Sequence, residues 1–146
     1  MVKHRFLFEP GQWLGEGKVL VISQEEELKF YTRWSCQEQK NGIIIATQEI
    51  EFANGQDKTS NHFTLSHLTF DGFMMKLHNE LFGEVLGKGV VSEKAIAWEF
   101  HGKDLAFEGF EVCQLQGDGS YLTRAEYTSS GEPHTVITGK LWKKSP

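Results

Sequence analysis

Apolar and polar residues alternate with a period of two along most of this chain. In the stretch 28–36, Phe30, Thr32 and Trp34 lie on one face of an extended backbone, while Tyr31 and Arg33 lie on the other. An extended chain points successive side chains to opposite faces, so this alternation is typical of a β-strand with one buried face. The stretch is therefore predicted to be a strand.

About ten runs of this kind follow one another, each ended by a short turn-forming sequence. Asn41 with Gly42 and Asp71 with Gly72 are the clearest turns, because both pairs readily adopt the positive φ angles of a tight hairpin. The predicted strands span residues 13–22, 28–36, 43–52, 62–70, 73–81, 95–100, 105–115, 121–128 and 134–142, with a weaker strand inside 82–92.

The short connections determine the expected architecture. Parallel strands need crossover connections of about a dozen residues or more, and the turns leave no room for them. We therefore predict one all-β domain over residues 1–146, an antiparallel up-and-down β-barrel of about 8–10 strands. Closure removes the two exposed edges that an open sheet would carry. A Greek-key sandwich is the alternative, because turns do not determine which distant strands pair.

The start of the first strand carries a Gly-x-Trp-x-Gly-x-Gly pattern, formed by Gly11, Trp13, Gly15 and Gly17. Together with the hairpin rhythm, this pattern resembles the calycin superfamily of lipocalins and fatty-acid-binding proteins, and most closely the nitrobindin-like haem-binding barrels. The resemblance implies a lipocalin-like barrel in which Trp13 plugs one end and the glycines let the strand bend. Inward-facing glycines also leave space inside a barrel. The ligand-binding residues of these families are not matched by position.

Composition narrows the range of partners. The net charge of −5 and the pI near 5.7 disfavour nucleic acid, which is bound by clustered Lys and Arg. No run approaches the roughly 20 apolar residues of a membrane span. Cys36 and Cys113 lack the C-x-x-C spacing of a metal site, so we interpret them as buried thiols of a reducing compartment. The apolar stretch within 1–8 is shorter than a signal peptide requires, and a cytoplasmic location is expected.

Aromatic residues are more numerous than a small barrel needs to fill its interior. We predict an apolar pocket lined by aromatic side chains of the predicted strands, namely Trp34, Phe63, Trp98, Phe107 and Tyr121. Arg33 and Arg124 are the candidates for orienting the polar end of a ligand, since arginine can fix an anionic head group in an apolar pocket. The alternatives are a filled core, and surface arginines paired with nearby glutamates.

Three histidines are candidates for binding a metal or haem. If Asp71 and Gly72 form a two-residue turn, His67 and His78 lie on neighbouring strands one diagonal step apart, close enough to share a metal ion. The resemblance to haem-binding barrels makes His134, at the start of the last strand, the candidate ligand of a haem iron. The alternative is an exposed polar face, and the identity of any cofactor stays open.

The leading functional hypothesis is a binding protein for a small hydrophobic or amphipathic ligand, such as a fatty acid, haem or a related tetrapyrrole. An enzyme on the same barrel is the second hypothesis, a lyase, isomerase or hydrolase that would use interior groups among Glu49, Glu111, His101 and Tyr121. The third is an interaction module with a filled core and an apolar outer face, for which a homodimer is one arrangement.

Overall fold

A computed structural model describes residues 4–21, 26–55, 57–81, 83–100, 108–128 and 134–145. Ten β-strands account for most of these residues. In chain order they are β1 (Gly11–Val21), β2 (Glu26–Cys36), β3 (Ile44–Phe52), β4 (Lys58–Ser66), β5 (Gly72–Asn79), β6 (Gly83–Val91), β7 (Ala95–Phe100), β8 (Glu108–Leu115), β9 (Tyr121–Thr128) and β10 (Thr135–Lys143).

The strands form one closed antiparallel ring in which each strand pairs with its neighbours in sequence. The ring closes between β1 and β10, from Trp13 opposite Lys143 to Val21 opposite Thr135. The described residues form no helix. They therefore contain no helix that is long and apolar enough to cross a membrane. The prediction of an all-β, antiparallel up-and-down barrel is confirmed.

The connection between β4 and β5 differs from the predicted two-residue turn. β4 ends at Ser66 and β5 begins at Gly72, so the turn spans five residues. Within it the backbone N–H of Thr69 donates to the carbonyl of Gly72 (2.9 Å), and the Thr69 hydroxyl donates to Asp71 (3.0 Å). His67 adopts a positive φ of 50°.

Burial explains why this longer turn forms. The observed register places Phe63 opposite Leu77 and Leu65 opposite Met75, so apolar side chains of both strands point into the barrel together. The predicted two-residue turn would have placed Leu65 opposite His78, and a shift of this kind moves apolar residues to the outer face.

One end of the barrel is filled by interlocking aromatic rings. The segment that precedes β1 enters the barrel there, and Phe6 is 0% exposed. Its ring makes edge contacts with Trp13 and Trp34, at centroid distances of 5.4 and 5.1 Å, and a tilted contact with Tyr121 at 5.6 Å. We call this group of Phe6, Trp13, Trp34 and Tyr121 the plugged end. Trp13 is therefore placed where the calycin resemblance expects a plug.

The glycines of β1 face the inside of the barrel, as the sequence pattern indicates. A Cβ at Gly17 would collide with the carbonyl oxygen of Thr138 on β10, and one at Gly15 would collide with Leu141. Gly11 opens the strand opposite Cys36. Close approach of β1 and β10 thus requires glycine where the ring closes. Cys36 and Cys113 are both buried and free.

Candidate ligand-binding site

A cavity of about 430 Å³ occupies the barrel beyond the plugged end. The ring of Trp34 separates the two regions, because it stacks on Phe63 at 5.0 Å inside the cavity and meets Phe6 edge-on in the plugged end. Most of the wall is apolar and includes Val19, Phe30, Ile50, Phe52, Phe100 and Ile137. This volume and lining are within the range of small-molecule sites.

Glycines on the inner wall keep the cavity open. Four of them lie directly opposite an aromatic residue of the neighbouring strand: Gly17 opposite Phe30, Gly87 opposite Phe100, Gly89 opposite Phe73, and Gly109 opposite Tyr127. In each pair the ring occupies the space that a Cβ on the glycine would need. The rings therefore lie against the wall rather than projecting to the centre, and three of them line the cavity.

Amide groups give one side of the cavity a fixed polar character. Asn61 on β4 donates to Oε1 of Gln48 on β3 (3.0 Å), and Asn79 on β5 donates to Oδ1 of Asn61 (2.6 Å). The hydroxyl of Thr32 is engaged with the carbonyl of Glu49 (2.9 Å). These groups offer a ligand only the hydrogen-bonding capacity that remains after their mutual contacts.

The other side of the cavity presents Glu111 on β8. Its side chain points inward beside Cys113 and is half-buried. Burial raises the pKa of this carboxyl to about 7. Among the described residues it has no hydrogen-bond or ion-pair partner, so the negative charge is not compensated.

Tyr127 and Trp98 flank Glu111 on the neighbouring strands. Burial, and then the charge of Glu111, raise the pKa of Tyr127 well above its usual value, so its hydroxyl stays protonated. The buried indole N–H of Trp98 is directed at the Tyr127 hydroxyl and offsets part of that rise in pKa. A buried donor and a half-buried carboxyl thus lie together at the wall.

Arg33 and Arg124 require a correction. Both are exposed on the outer face, because each alternates with buried neighbours that take the inner face, Trp34 on β2 and Ala125 on β9. Arg124 instead forms an ion pair with Glu126 (3.0 Å), and Arg33 lies opposite Glu49. Neither arginine can orient a ligand inside the barrel.

The predicted aromatic residues occupy different places. Trp34 and Phe63 line the cavity. Trp98 is buried against Trp34 and Phe63 and does not line the cavity, and Tyr121 belongs to the plugged end. Phe107 and His101 lie outside the described residues. Of the proposed acid–base groups, Glu111 and Tyr121 point inward, whereas Glu49 is exposed.

The segment before β1 supplies buried residues that sequence reasoning missed. His4 is 4% exposed, and its Nδ1 accepts a hydrogen bond from the Tyr121 hydroxyl (2.7 Å). Its Nε2 donates to the carbonyl of Ser92 (2.7 Å), which determines the tautomer. The only signal in the sequence is the apolar triplet at 6–8, interpreted there as too short for a signal peptide.

The histidine predictions for metal and haem do not match the structure. His67 lies on the turn after β4, and His78 pairs with His62 on the outer face, with ring centroids 6.4 Å apart. His134 is hydrogen bonded through its Nε2 to the Glu126 carboxylate (2.6 Å) and does not line the cavity. No group of three metal-ligating side chains occurs in the described ranges. No histidine in those ranges lines the cavity, so these residues do not fit a haem held by imidazole.

Together, the ring of ten strands and its internal cavity define a closed, hollow antiparallel β-barrel. Among solved structures the chain is similar to Rv2717c from M. tuberculosis, at 14% identity over 95% of this chain and 93% of that chain, with a TM-score of 0.72. It is also similar to the S-type phycobiliprotein lyase CPES from Guillardia theta, at 9% identity over 94% and 89% of the two chains, with a TM-score of 0.67. At these identities the likeness shows the fold alone. No protein-family model and no curated protein matches the chain.

Proposed function

We propose that this protein binds a small hydrophobic or amphipathic molecule inside its barrel. The observation that carries the proposal is the cavity of about 430 Å³, whose wall is apolar except for a few polar groups. One barrel of the same fold is by name a phycobiliprotein lyase, which supports this use of the architecture only by analogy.

Burial of apolar surface would supply most of the binding free energy. Each Å² of apolar ligand surface removed from water contributes about 25 cal/mol before ordering costs. Lipid-like molecules and tetrapyrroles suit a wall of this kind. Haem is the least suited of the tetrapyrroles, since no imidazole of the described residues lines the cavity.

We take residues 1–146 to be one domain. A reducing, cytoplasmic environment is part of the proposal, and the two buried free thiols support it. An enzyme acting on the bound molecule is the second candidate. It is favoured by Glu111, whose pKa of about 7 suits proton transfer at neutral pH.

Titration with a neutral apolar dye such as Nile red, followed by fluorescence, tests the binding function. Ile50→Trp places a larger side chain into the cavity from β3, and Ile45→Trp makes the same change on the outer face of that strand. We expect the first variant to weaken dye binding by about tenfold or more and the second to leave it within about twofold.

Native mass spectrometry of the protein purified from its own host complements the titration. A co-purifying small molecule is expected, and an enzyme would return an added ligand with an altered mass. The proposal fails if the wild type takes up neither dye nor ligand, or if the two tryptophan variants bind dye equally.

A further inference from the structure

The charge that a ligand meets inside this barrel is negative. Of the residues that the structure describes, three charged ones border the cavity: Glu16, Lys140 and Glu111. Glu16 and Lys140 lie opposite each other in the pairing of β1 with β10, and both are exposed. Because their opposite charges lie at one place on the rim, the pair gives the cavity little net preference for a positive or a negative ligand. Among the described residues, Glu111 is the one whose carboxyl lines the cavity from the inner face of the barrel.

The groups that face Glu111 do not neutralise it. Trp98 lies directly opposite on β7 and cannot carry a charge. Cys113 on the same strand and Tyr127 on β9 both have pKa values raised well above their usual range, by burial and by the charge of Glu111 itself, so both are neutral at physiological pH. No cation among the described residues pairs with this carboxylate, and a ligand is free to do so.

We infer that the cavity selects ligands whose polar end is a cationic or N–H-donating nitrogen placed against Glu111, and that it disfavours ligands with a carboxylate head. This inference rests on the proposed ligand-binding function and names its ligand class. It excludes fatty acids as preferred ligands.

The physical reason is the desolvation of a carboxylate that lacks a partner. An ammonium group brought to Glu111 forms a charge-assisted hydrogen bond in a low-dielectric site, which offsets the cost of burying both charges. A carboxylate head would instead bring a second negative charge to the same place, and one of the two groups would have to bind a proton.

Three ligands with one tail test the selectivity: dodecylamine, dodecanol and dodecanoate, each displacing Nile red at about pH 8.5. In the wild type we expect the dissociation constant of the amine to be lower than that of dodecanoate by a factor of about ten or more, with the alcohol between them. Glu111→Gln keeps the shape of the side chain and removes its charge, and the ratio should fall to within about threefold.

Two controls keep the result specific to this carboxyl. Glu99→Gln removes a carboxylate from the outer face of β7 and should leave the wild-type ratio unchanged. In the wild type the ratio should shrink between about pH 8.5 and about pH 5.5, because Glu111 takes up a proton while the amine stays charged.

The outcomes separate the inference from the proposed function. If dodecanol and dye bind but dodecanoate equals the amine, or if the ratio survives in Glu111→Gln, the inference is overturned and ligand binding stands. If neither the dye nor any of the three ligands binds, the binding function itself fails.

Discussion

The plugged end and the cavity are built from the same kinds of residue, yet one is solid and the other hollow. In the plugged end, aromatic rings meet edge to face around Phe6, which enters from outside the ring of strands. Along the cavity wall, Phe30 and Phe100 lie flat over glycines of the neighbouring strands. Aromatic content alone therefore does not decide whether a barrel is filled, since the residues opposite each ring decide where the ring lies.

The two regions also differ in how their polar groups are satisfied. His4 and Tyr121 in the plugged end hydrogen bond to each other, and His4 also bonds Ser92. Glu111, beside the cavity, has no such partner among the described residues. Satisfied buried groups stabilise a fold, whereas unsatisfied ones reduce stability and are available to a ligand.

Removal of one phenyl ring from each region should give the largest contrast. Phe6→Ala is expected to lower the free energy of unfolding by about 3–5 kcal/mol, because it leaves a void among packed rings. Phe52→Ala removes the same atoms beside an existing cavity and should lower it by about 1–2 kcal/mol. Urea unfolding measures both, and equal losses would contradict the distinction between the regions.

Glu111→Gln should change how stability depends on pH. The pKa of the carboxyl is about 7 in the folded state and has its ordinary value of 4.5 in the unfolded state. Between these values the folded state binds the extra proton, so the wild type loses stability as pH rises from 4.5 to 7 and no further above it.

The loss should amount to about 1–3 kcal/mol, since the side chain is only half-buried. The variant should lack this loss, and the difference between the two urea-unfolding profiles across that pH range isolates Glu111 from the other carboxyls. Parallel profiles would show that the carboxyl is solvated.

Tyr121→Phe should have the smallest effect, and it tests the hydrogen bond within the plugged end. The variant keeps the ring and leaves Nδ1 of His4 without its donor, with an expected loss of about 1 kcal/mol in unfolding free energy. Tyr31→Phe, on the exposed outer face of β2, is the matched control and should be close to neutral. A similar value for both variants would argue that the buried bond contributes nothing.

The fold could be predicted because its signals are local. A period of two and a turn every few residues specify ten antiparallel strands without knowledge of any distant contact. Features that depend on register were not accessible in this way. The pairing of inner-wall glycines with aromatic rings follows only once the strands are aligned, and the turn after Ser66 follows from burial on two strands at once.

The candidate site was harder to predict for a related reason. On β8 the alternation misleads, because Phe110 is 38% exposed while the neighbouring Glu111 points inward. From the sequence, Glu111 is one of four candidate interior groups of an enzyme, and nothing there distinguishes it from the other three. Arg33 was predicted to reach the pocket although the pattern argued against it. Its neighbour Trp34 takes the inner face, and successive residues of a strand point to opposite faces.

Closure of the ring between β1 and β10 has a consequence for how the protein reaches its folded state. The contacts that complete the barrel join residues far apart in sequence, such as Trp13 on β1 and Lys143 on β10. Hairpins form quickly, but this final pairing must await the whole chain, and topologies dominated by distant contacts fold slowly. Until then the sheet exposes two unpaired edge strands, which can pair with those of another chain. We therefore expect domain swapping to be the main side reaction when the protein is refolded at high concentration.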